Sequence, residues 1–278
     1  MKIKPPYLVV AGLLLITVIY FLGRTTAPKK NETAMSGHVG MPVQSVSAVD
    51  LEAIIAQAKN NLKPDKAIKI DSLTNQFKNS NNKTVVLQQL INAWKLSGSK
   101  IITAEYAKQL AENTNNASDY ATAGDLLVTA FENAADSTMA KALSDDAFNT
   151  LQKAIELDTN NIDNRVNMAA TLMEGRKQIM DGVPILLEIV KKSPNHLKAN
   201  FILAKFAVVS GQNDKAIARL DKIIALYPDY TDAYLVMAKA YTAKGEMMKA
   251  KATLQTCEKH LKDAQAKAEV QQMIEKFN

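Results

Sequence analysis

The sequence is poor in the residues that build disulfides and metal centres. Its 278 residues include one cysteine, Cys257, and three scattered histidines. A single cysteine excludes an intramolecular disulfide and any zinc or iron–sulfur site held by several thiolates. Only 10 glycines and 8 prolines are present, which excludes a collagen-like or wholly disordered chain. We therefore expect a folded protein with no bound metal and no cofactor.

Catalytic motifs are equally scarce. The sequence contains no HExxH, no CxxC, no glycine-rich phosphate loop and no GxSxG elbow. Ser97 and Lys100 form an SxxK pattern, which is the spacing of nucleophile and base in some acyl-transfer enzymes. Two fixed letters in four positions arise readily by chance in a lysine-rich chain, so an SxxK hydrolase is the weaker alternative. We expect no catalytic residue and no enzyme activity.

The excess of positive charge lies at the start of the chain. The net charge is +6, and residues 1–30 contain five basic and no acidic side chains. Residues 31–278 contain 29 basic and 28 acidic side chains, so the rest of the chain is nearly neutral. Binding to nucleic acid requires clustered basic residues that contact phosphates. Because nothing in the sequence indicates such a cluster, we expect no nucleic-acid partner.

An apolar run follows a short tail at residues 1–6. Residues 7–22 read YLVVAGLLLITVIYFL and contain no charge. A helix over 7–23 would be about 25 Å long, slightly less than the hydrocarbon core of about 30 Å. Lys4 and Arg24 flank the run, and long basic side chains can extend from helix ends to the lipid head groups. We predict one transmembrane helix at 7–23, in contact with the lipid bilayer.

A cleaved signal peptide is the competing interpretation, because it also combines a basic start with an apolar segment. Thr25 and Ala27 would suit cleavage, but Pro28 would follow the cut, which favours an uncleaved anchor.

The orientation in the membrane is not decided by charge. Basic residues flank both ends of the run, so the rule that the more basic flank stays in the cytoplasm gives nearly equal support to both orientations. From bacterial anchors in general, we expect a single-pass inner-membrane protein with a periplasmic body. A cytoplasmic body is the alternative.

Beyond the apolar run, the sequence changes to a polar segment and then to a helical pattern. Residues 24–47 are polar, contain Gly and Pro, and predict a flexible tether. From residue 48 onward, apolar residues recur three and four positions apart, as in Leu51, Ile54 and Ala58. This period is typical of helices, and no strand-like alternation interrupts it. The body is therefore predicted to be all-α.

A period of 34 residues runs through the C-terminal half. Pro194 and Pro228 are 34 residues apart, and so are Gly211 and Gly245. Small residues follow the same step in two series: Ala170, Ala204 and Ala238; Gly182, Ala216 and Ala250. The pattern predicts repeated pairs of helices that approach closely at the small residues. Each glycine would allow the turn between two helices, and each proline would end the second helix.

This register resembles the tetratricopeptide repeat family. In that family a bulky residue opens the first helix, as Val166, Asn200 and Tyr234 do here, and residues 234–257 are the best match. The resemblance implies a right-handed α-solenoid of helical hairpins, here preceded by the transmembrane helix. Cys257 occupies a position where the family has a small residue, so we expect a buried core side chain.

The resemblance and the helical period together divide the body into four parts. They are an N-terminal helical hairpin cap at 48–79, two diverged repeats at 80–162, three repeats at 163–264 and a C-terminal capping helix at 265–278. In the diverged part, Trp94 takes the aromatic position and Gly98 the turn, and about ten extra residues separate helices at 120–135 and 145–157.

Two residues depart from the family's pattern in the first of the three repeats. Lys177 stands where a turn glycine is expected. Pro184 lies within the second helix, so that helix is expected to start late, near Asp181, or to kink.

The resemblance also implies a function. In tetratricopeptide arrays the first helices line a concave face on which peptides or helices dock. Transfer of those positions predicts this groove lining: Asn164, Asn167, Thr171, Lys198, Phe201, Lys205, Val208, Leu235, Lys239 and Thr242. Three lysines among apolar residues would suit a peptide with apolar side chains and a carboxylate, unless the lysines are simply solvated.

We therefore expect a membrane-anchored, non-catalytic scaffold or assembly factor for protein or peptide partners. A helper of secretion or of cytochrome c maturation that holds unfolded clients is the alternative. The sequence does not identify the partner.

Overall fold

The structure is a computed structural model and describes residues 50–277. These residues form thirteen α-helices and one short π-helix. The α-helices are α1 (Leu51–Asn60), α2 (Pro64–Asn79), α3 (Lys83–Leu96), α4 (Lys100–Thr114), α5 (Ala117–Glu132), α6 (Ser137–Leu157), α7 (Ile162–Ala170), α8 (Ile179–Lys192), α9 (Leu197–Val209), α10 (Asn213–Leu226), α11 (Thr231–Ala243), α12 (Met247–His260) and α13 (Ala264–Glu275). The π-helix, Thr171–Gly175, directly continues α7.

The predicted tail, membrane helix and tether, residues 1–47, lie outside the described residues. Among residues 50–277, no helix is both long enough and apolar enough to be a membrane span.

The helices stack in chain order. Nearly every helix packs mainly against the helices that precede and follow it in the chain. The first helices of successive pairs also touch, as α5 does with α7 and α9 with α11. Contact with near neighbours is the defining property of a solenoid. The prediction of an all-α solenoid of helical hairpins is therefore confirmed.

The small residues of the 34-residue register lie where helices approach closely. All six are buried in the structure: Ala170, Ala204, Ala238, Gly182, Ala216 and Ala250. At Gly182 a Cβ atom would lie 2.3 Å from Met173 Cγ and 2.8 Å from the carbonyl oxygen of Ala169. A larger side chain on α8 would therefore force α7 and α8 apart.

The turns between paired helices use the left-handed backbone conformation. Gly98, Gly211 and Gly245 have φ values of +80°, +75° and +76°. Lys177 lies 34 residues before Gly211 and takes the same conformation, with φ +60°. The turn geometry is thus retained in the repeat that lacks the glycine. A residue with a Cβ atom pays a steric cost there that glycine avoids.

The π-helix lengthens the connection before this turn. Within it, the amide of Arg176 donates to the carbonyl of Thr171 over 2.9 Å, a bond that spans five residues. The Lys177 side chain then donates to the carbonyl of Glu174 over 2.6 Å. Helix α8 begins at Ile179, before the predicted start near Asp181, and contains Pro184 in its second turn.

The extra residues of the second diverged repeat extend a helix rather than form a loop. Helix α6 begins at Ser137, where the Asp136 side chain accepts a hydrogen bond from the amide of Met139 over 2.8 Å. Such a cap provides an acceptor for an amide that the helix itself leaves unpaired. Four apolar residues then continue one buried stripe along α6: Leu143, Ala147, Leu151 and Ala154. Met139 and Ala142, from the added part of the helix, pack partly buried against the same core cluster.

Both ends of the array are covered by apolar contacts. Near the N-terminal end, Trp94 is completely buried in a cluster with Ile70 and Leu90. At the C-terminal end, Val270 of α13 is buried against the cluster that contains Cys257. Cys257 is itself fully buried, as expected. Burial raises the pKa of its thiol to about 11, so Cys257 is an inert core residue near neutral pH.

A carboxyl group on α4 is buried, next to an ion pair between α4 and α6. Glu105 is 9% exposed, and its Oε1 atom has no hydrogen-bond partner. Its other oxygen lies 3.8 Å from Lys108 Nζ, which is closer to Asp146, at 2.9 Å. Burial raises the pKa of Glu105, and the nearby charges of Asp146 and Glu112 add to this effect, while Lys108 opposes it. The folded chain therefore holds the Glu105 proton more tightly than the unfolded chain does.

Replacing Lys177 with glycine should stabilise the array. The change Lys177→Gly removes the cost of a left-handed non-glycine residue, while glycine adds entropy to the unfolded chain. We expect a net gain of about 0.5–1 kcal/mol in the free energy of unfolding, measured by urea denaturation. The matched variant Gly245→Lys should lose about 1 kcal/mol. A loss of stability in Lys177→Gly would contradict this account of the turn.

Glu105 should make stability depend on pH. As pH rises from the ordinary glutamate pKa of 4.5 through the raised value, the unfolded chain releases this proton first, so the contribution of Glu105 to stability falls. The variant Glu105→Gln cannot titrate and should lose less stability between pH 4.5 and pH 7.5, measured by urea denaturation. The exposed Glu275→Gln variant is the control and should follow the wild type.

Candidate functional site

An open groove runs across the first helices of four successive pairs. It is lined by α5, the π-helix, α9 and the beginning of α11, with the first turn of α6 at its side, and has a volume of about 880 Å³. These first helices are the elements that the family resemblance placed on the docking face. The groove, defined by these helices, is the candidate site.

Helix α9 carries three of the predicted groove residues into this site. Lys198, Phe201 and Lys205 all line the groove. Four others lie outside its lining. Val208 and Leu235 are half-buried beside the core, and Lys239 and Thr242 are exposed on α11.

The three predicted residues of α7 and the π-helix are buried beneath the groove. Asn164, Asn167 and Thr171 are 2%, 4% and 0% exposed. The Asn167 side chain donates to Asp125 Oδ1 over 3.2 Å, and the Thr171 hydroxyl donates to the carbonyl of Asn167 over 2.9 Å. Because α7 packs directly against α5, the Asn167 side chain links these two helices beneath the groove, and all three side chains are buried away from its open side.

Both groove lysines of α9 are paired with acids from earlier helices. Lys205 Nζ lies 2.9 Å from Glu174 Oε1 on the π-helix, and Lys198 Nζ lies 3.3 Å from Asp125 Oδ1 on α5. These pairs neutralise much of the positive charge that the sequence assigns to the groove. A partner carboxylate would therefore have to compete with Asp125 and Glu174 for these lysines.

An aromatic pair contributes to the apolar part of the groove. The rings of Phe201 and Tyr230 meet edge to face, with centroids 5.1 Å apart. Lys205 Nζ lies 5.9 Å from the centroid of the Phe201 ring, within the range of a cation–π contact. Such rings bind apolar side chains with little loss of conformational freedom, because they are already fixed by their neighbours.

Two carboxylates lie near this aromatic pair. Burial, together with the negative charges of Asp232 and Glu132, raises the pKa of Tyr230 to about 12. Partial loss of hydration in the groove also raises the pKa of Glu132, and Glu174 adds to this effect, against Lys205 and Lys198. The groove therefore contains acids close to a tyrosine ring, where the sequence indicated lysines.

Comparison with known proteins agrees with this architecture. Residues 169–245 match the family described as the second ARM domain of tetratricopeptide repeat protein 21. Among solved structures, a tetratricopeptide repeat protein from Parabacteroides merdae superposes with a TM-score of 0.55 at 13% identity, over 82% of this chain and 88% of that one. The described part of the chain has a tetratricopeptide repeat fold.

Two further matches show how far the similarity extends. PilW, described as a widely conserved type IV pilus biogenesis factor, has a TM-score of 0.50 at 13% identity, over 71% of this chain and 94% of that one. Subunit 3 of the anaphase-promoting complex of Dictyostelium discoideum is 30% identical over 89 residues. That alignment covers 32% of this chain and only 9% of the length of the curated relative.

The tetratricopeptide geometry separates the two members of the SxxK pattern. The Ser97 hydroxyl donates to the carbonyl of Trp94 over 2.6 Å, at the end of α3. Lys100 Nζ instead donates to Asn133 Oδ1 over 2.8 Å, between α5 and α6. The amino group of Lys100 therefore bonds to a different helix and not to Ser97, the serine that it would have to activate. Within residues 50–277, no cluster of three or more His, Cys, Asp or Glu side chains could hold a metal ion.

Sequence reasoning missed the acidic and aromatic members of the groove. These residues are Asp125, which is tied to the groove through its ion pair with Lys198, and Glu132, Glu174, Tyr230 and Asp232, which line it. The first two lie on the first helix of a diverged repeat, and extending the positional transfer to that repeat would have found them. Glu174 lies three residues after Thr171, one turn along the same predicted helix. Tyr230 precedes α11, at a position for which the family resemblance gave no expectation.

Proposed function

We propose that this protein is a non-catalytic interaction protein whose groove binds a segment of a partner protein. The groove is the observation that supports this proposal. It is open, crosses four helix pairs and presents a fixed aromatic pair. An extended peptide or a helix could contact several of these helices at once. Because stacked helices hold the groove in place, little conformational entropy would be lost when the partner binds.

We also propose that residues 7–23 anchor the chain in a bacterial inner membrane as a single-pass helix. The uncharged run and its basic flanks support this anchor. The proposed orientation has the repeat array in the periplasm, with a cytoplasmic array as the alternative. The array would then meet partners close to the membrane surface, as a scaffold or an assembly factor. A client-holding role in secretion or cytochrome c maturation is a narrower form of this proposal.

Site-specific photo-crosslinking should locate partners in the groove. A photoreactive amino acid in place of Lys205 should form adducts with a partner protein in intact cells. The same amino acid in place of Lys222, exposed on α10 outside the groove lining, should not. The variant Phe201→Ala should reduce the Lys205 adducts at least severalfold, because it removes a groove anchor. Equal adducts at both positions, unaffected by Phe201→Ala, would count against a docking groove.

Membrane extraction should test the anchor. The full chain should stay in the membrane pellet through carbonate washing, whereas a variant lacking residues 7–23 should move to the supernatant. Alkaline phosphatase fused after Asn278 should be active if the array is periplasmic and inactive if it is cytoplasmic. Recovery of the uncleaved full chain in the supernatant would refute the anchor.

A further inference from the structure

The charges in the groove indicate the kind of partner segment it accepts, if the groove binds partners as proposed. All four lysines of the groove lining already have a bonding partner within the chain. The pairs are Lys141 with Asp145 at 2.9 Å, Lys177 with the carbonyl of Glu174 at 2.6 Å, Lys198 with Asp125 at 3.3 Å and Lys205 with Glu174 at 2.9 Å. At Lys141, Lys198 and Lys205, an acidic partner would therefore compete with carboxylates that are already in place, whereas Lys177 bonds to a backbone carbonyl.

Two carboxylates of the same groove have no such partner. Glu132 ends α5, and Asp232 lies in the first turn of α11; both line the groove. Within residues 50–277, neither forms an ion pair, in contrast to Asp125 and Glu174. A positively charged group that entered the groove would meet these two side chains without breaking an existing pair.

Tyr230 lines the groove together with these two carboxylates. Its ring lines the groove and packs edge to face on Phe201. Glu132 and Asp232 line the same groove, and Asp232 is two residues beyond Tyr230 in the chain. An aromatic ring attracts cations through its negative face, and carboxylates form strong charge-assisted hydrogen bonds with guanidinium and ammonium groups.

We propose that the groove binds a partner segment through a lysine or arginine side chain that lies against Tyr230, between Glu132 and Asp232. Apolar neighbours of that side chain would pack on Phe201. Arginine fits better than lysine, because its planar guanidinium stacks on rings and can bond to two carboxylates. An acidic segment is disfavoured, since it would bring further negative charge beside Glu132, Glu174 and Asp232.

A peptide-selection experiment tests this directly. A random peptide library is panned against the purified full chain, and the selected peptides are measured against variants. We expect enrichment of arginine and lysine beside apolar residues. Glu132→Gln and Asp232→Asn should each weaken binding about five- to tenfold. Asp221→Asn, at an exposed position on α10 outside the groove lining, is the matched control and should bind as the wild type does.

Exchanging the charges of the groove and of the peptide gives a second test, because a misfolded variant would not regain binding. Glu132→Lys should weaken binding of the basic peptide, and replacing the key basic residue of the peptide with glutamate should restore binding to that variant. Thermal unfolding of each variant, followed by circular dichroism, should match the wild type.

The outcomes separate this inference from the proposed function. If no selected peptide depends on Phe201, the groove does not bind peptides and the proposed function fails. If peptides depend on Phe201 but show no basic enrichment, or are rich in Asp and Glu, the groove binds peptides and only the cation subsite is refuted. Unchanged affinity in both Glu132→Gln and Asp232→Asn would also refute it.

Discussion

Close packing of neighbouring helices at small residues is the constraint on which the rest of the structure depends. Each helix pair can bury its apolar face only against the pairs beside it. This burial requires close approach, as Gly182 shows, because a Cβ atom there would collide with Met173 and with the backbone of α7. The same packing fixes the spacing of α5, α7, α9 and α11, and this spacing defines the groove. The groove is therefore a consequence of how the array is held together.

The sequence predicts those features that depend on a residue and its position in the repeat. Turn glycines, small contact residues and the buried Cys257 all follow from the 34-residue register, because each needs a local conformation or a local volume. Lys177 shows that the repeat geometry outweighs the preference of a single residue. The packing of α7 on α8 imposes the left-handed conformation on a residue that does not favour it.

The electrostatics of the groove could not be predicted in the same way. Lys198 pairs with an acid 73 residues away, and Lys205 pairs with one 31 residues away. Such pairs depend on the relative positions of different repeats. A periodic pattern describes one repeat and contains no information about which charges of its neighbours come within reach. The burial of Asn167 has the same origin, because it depends on how closely α5 approaches α7.

The irregular part of the array also determines the charge of its groove. Glu174 lies on the π-helix, the one described segment that departs from regular α-helical bonding, and it holds Lys205 in an ion pair. One and two repeats later, the equivalent positions are Val208 and Thr242, which cannot neutralise a lysine. Only the first of the three repeats therefore supplies a carboxylate at this position. That carboxylate holds Lys205 in an ion pair, whereas Glu132 forms no ion pair within the described part of the chain and is only influenced by Lys205 and Lys198 from a greater distance. This difference between the repeats is the basis of the proposed cation subsite.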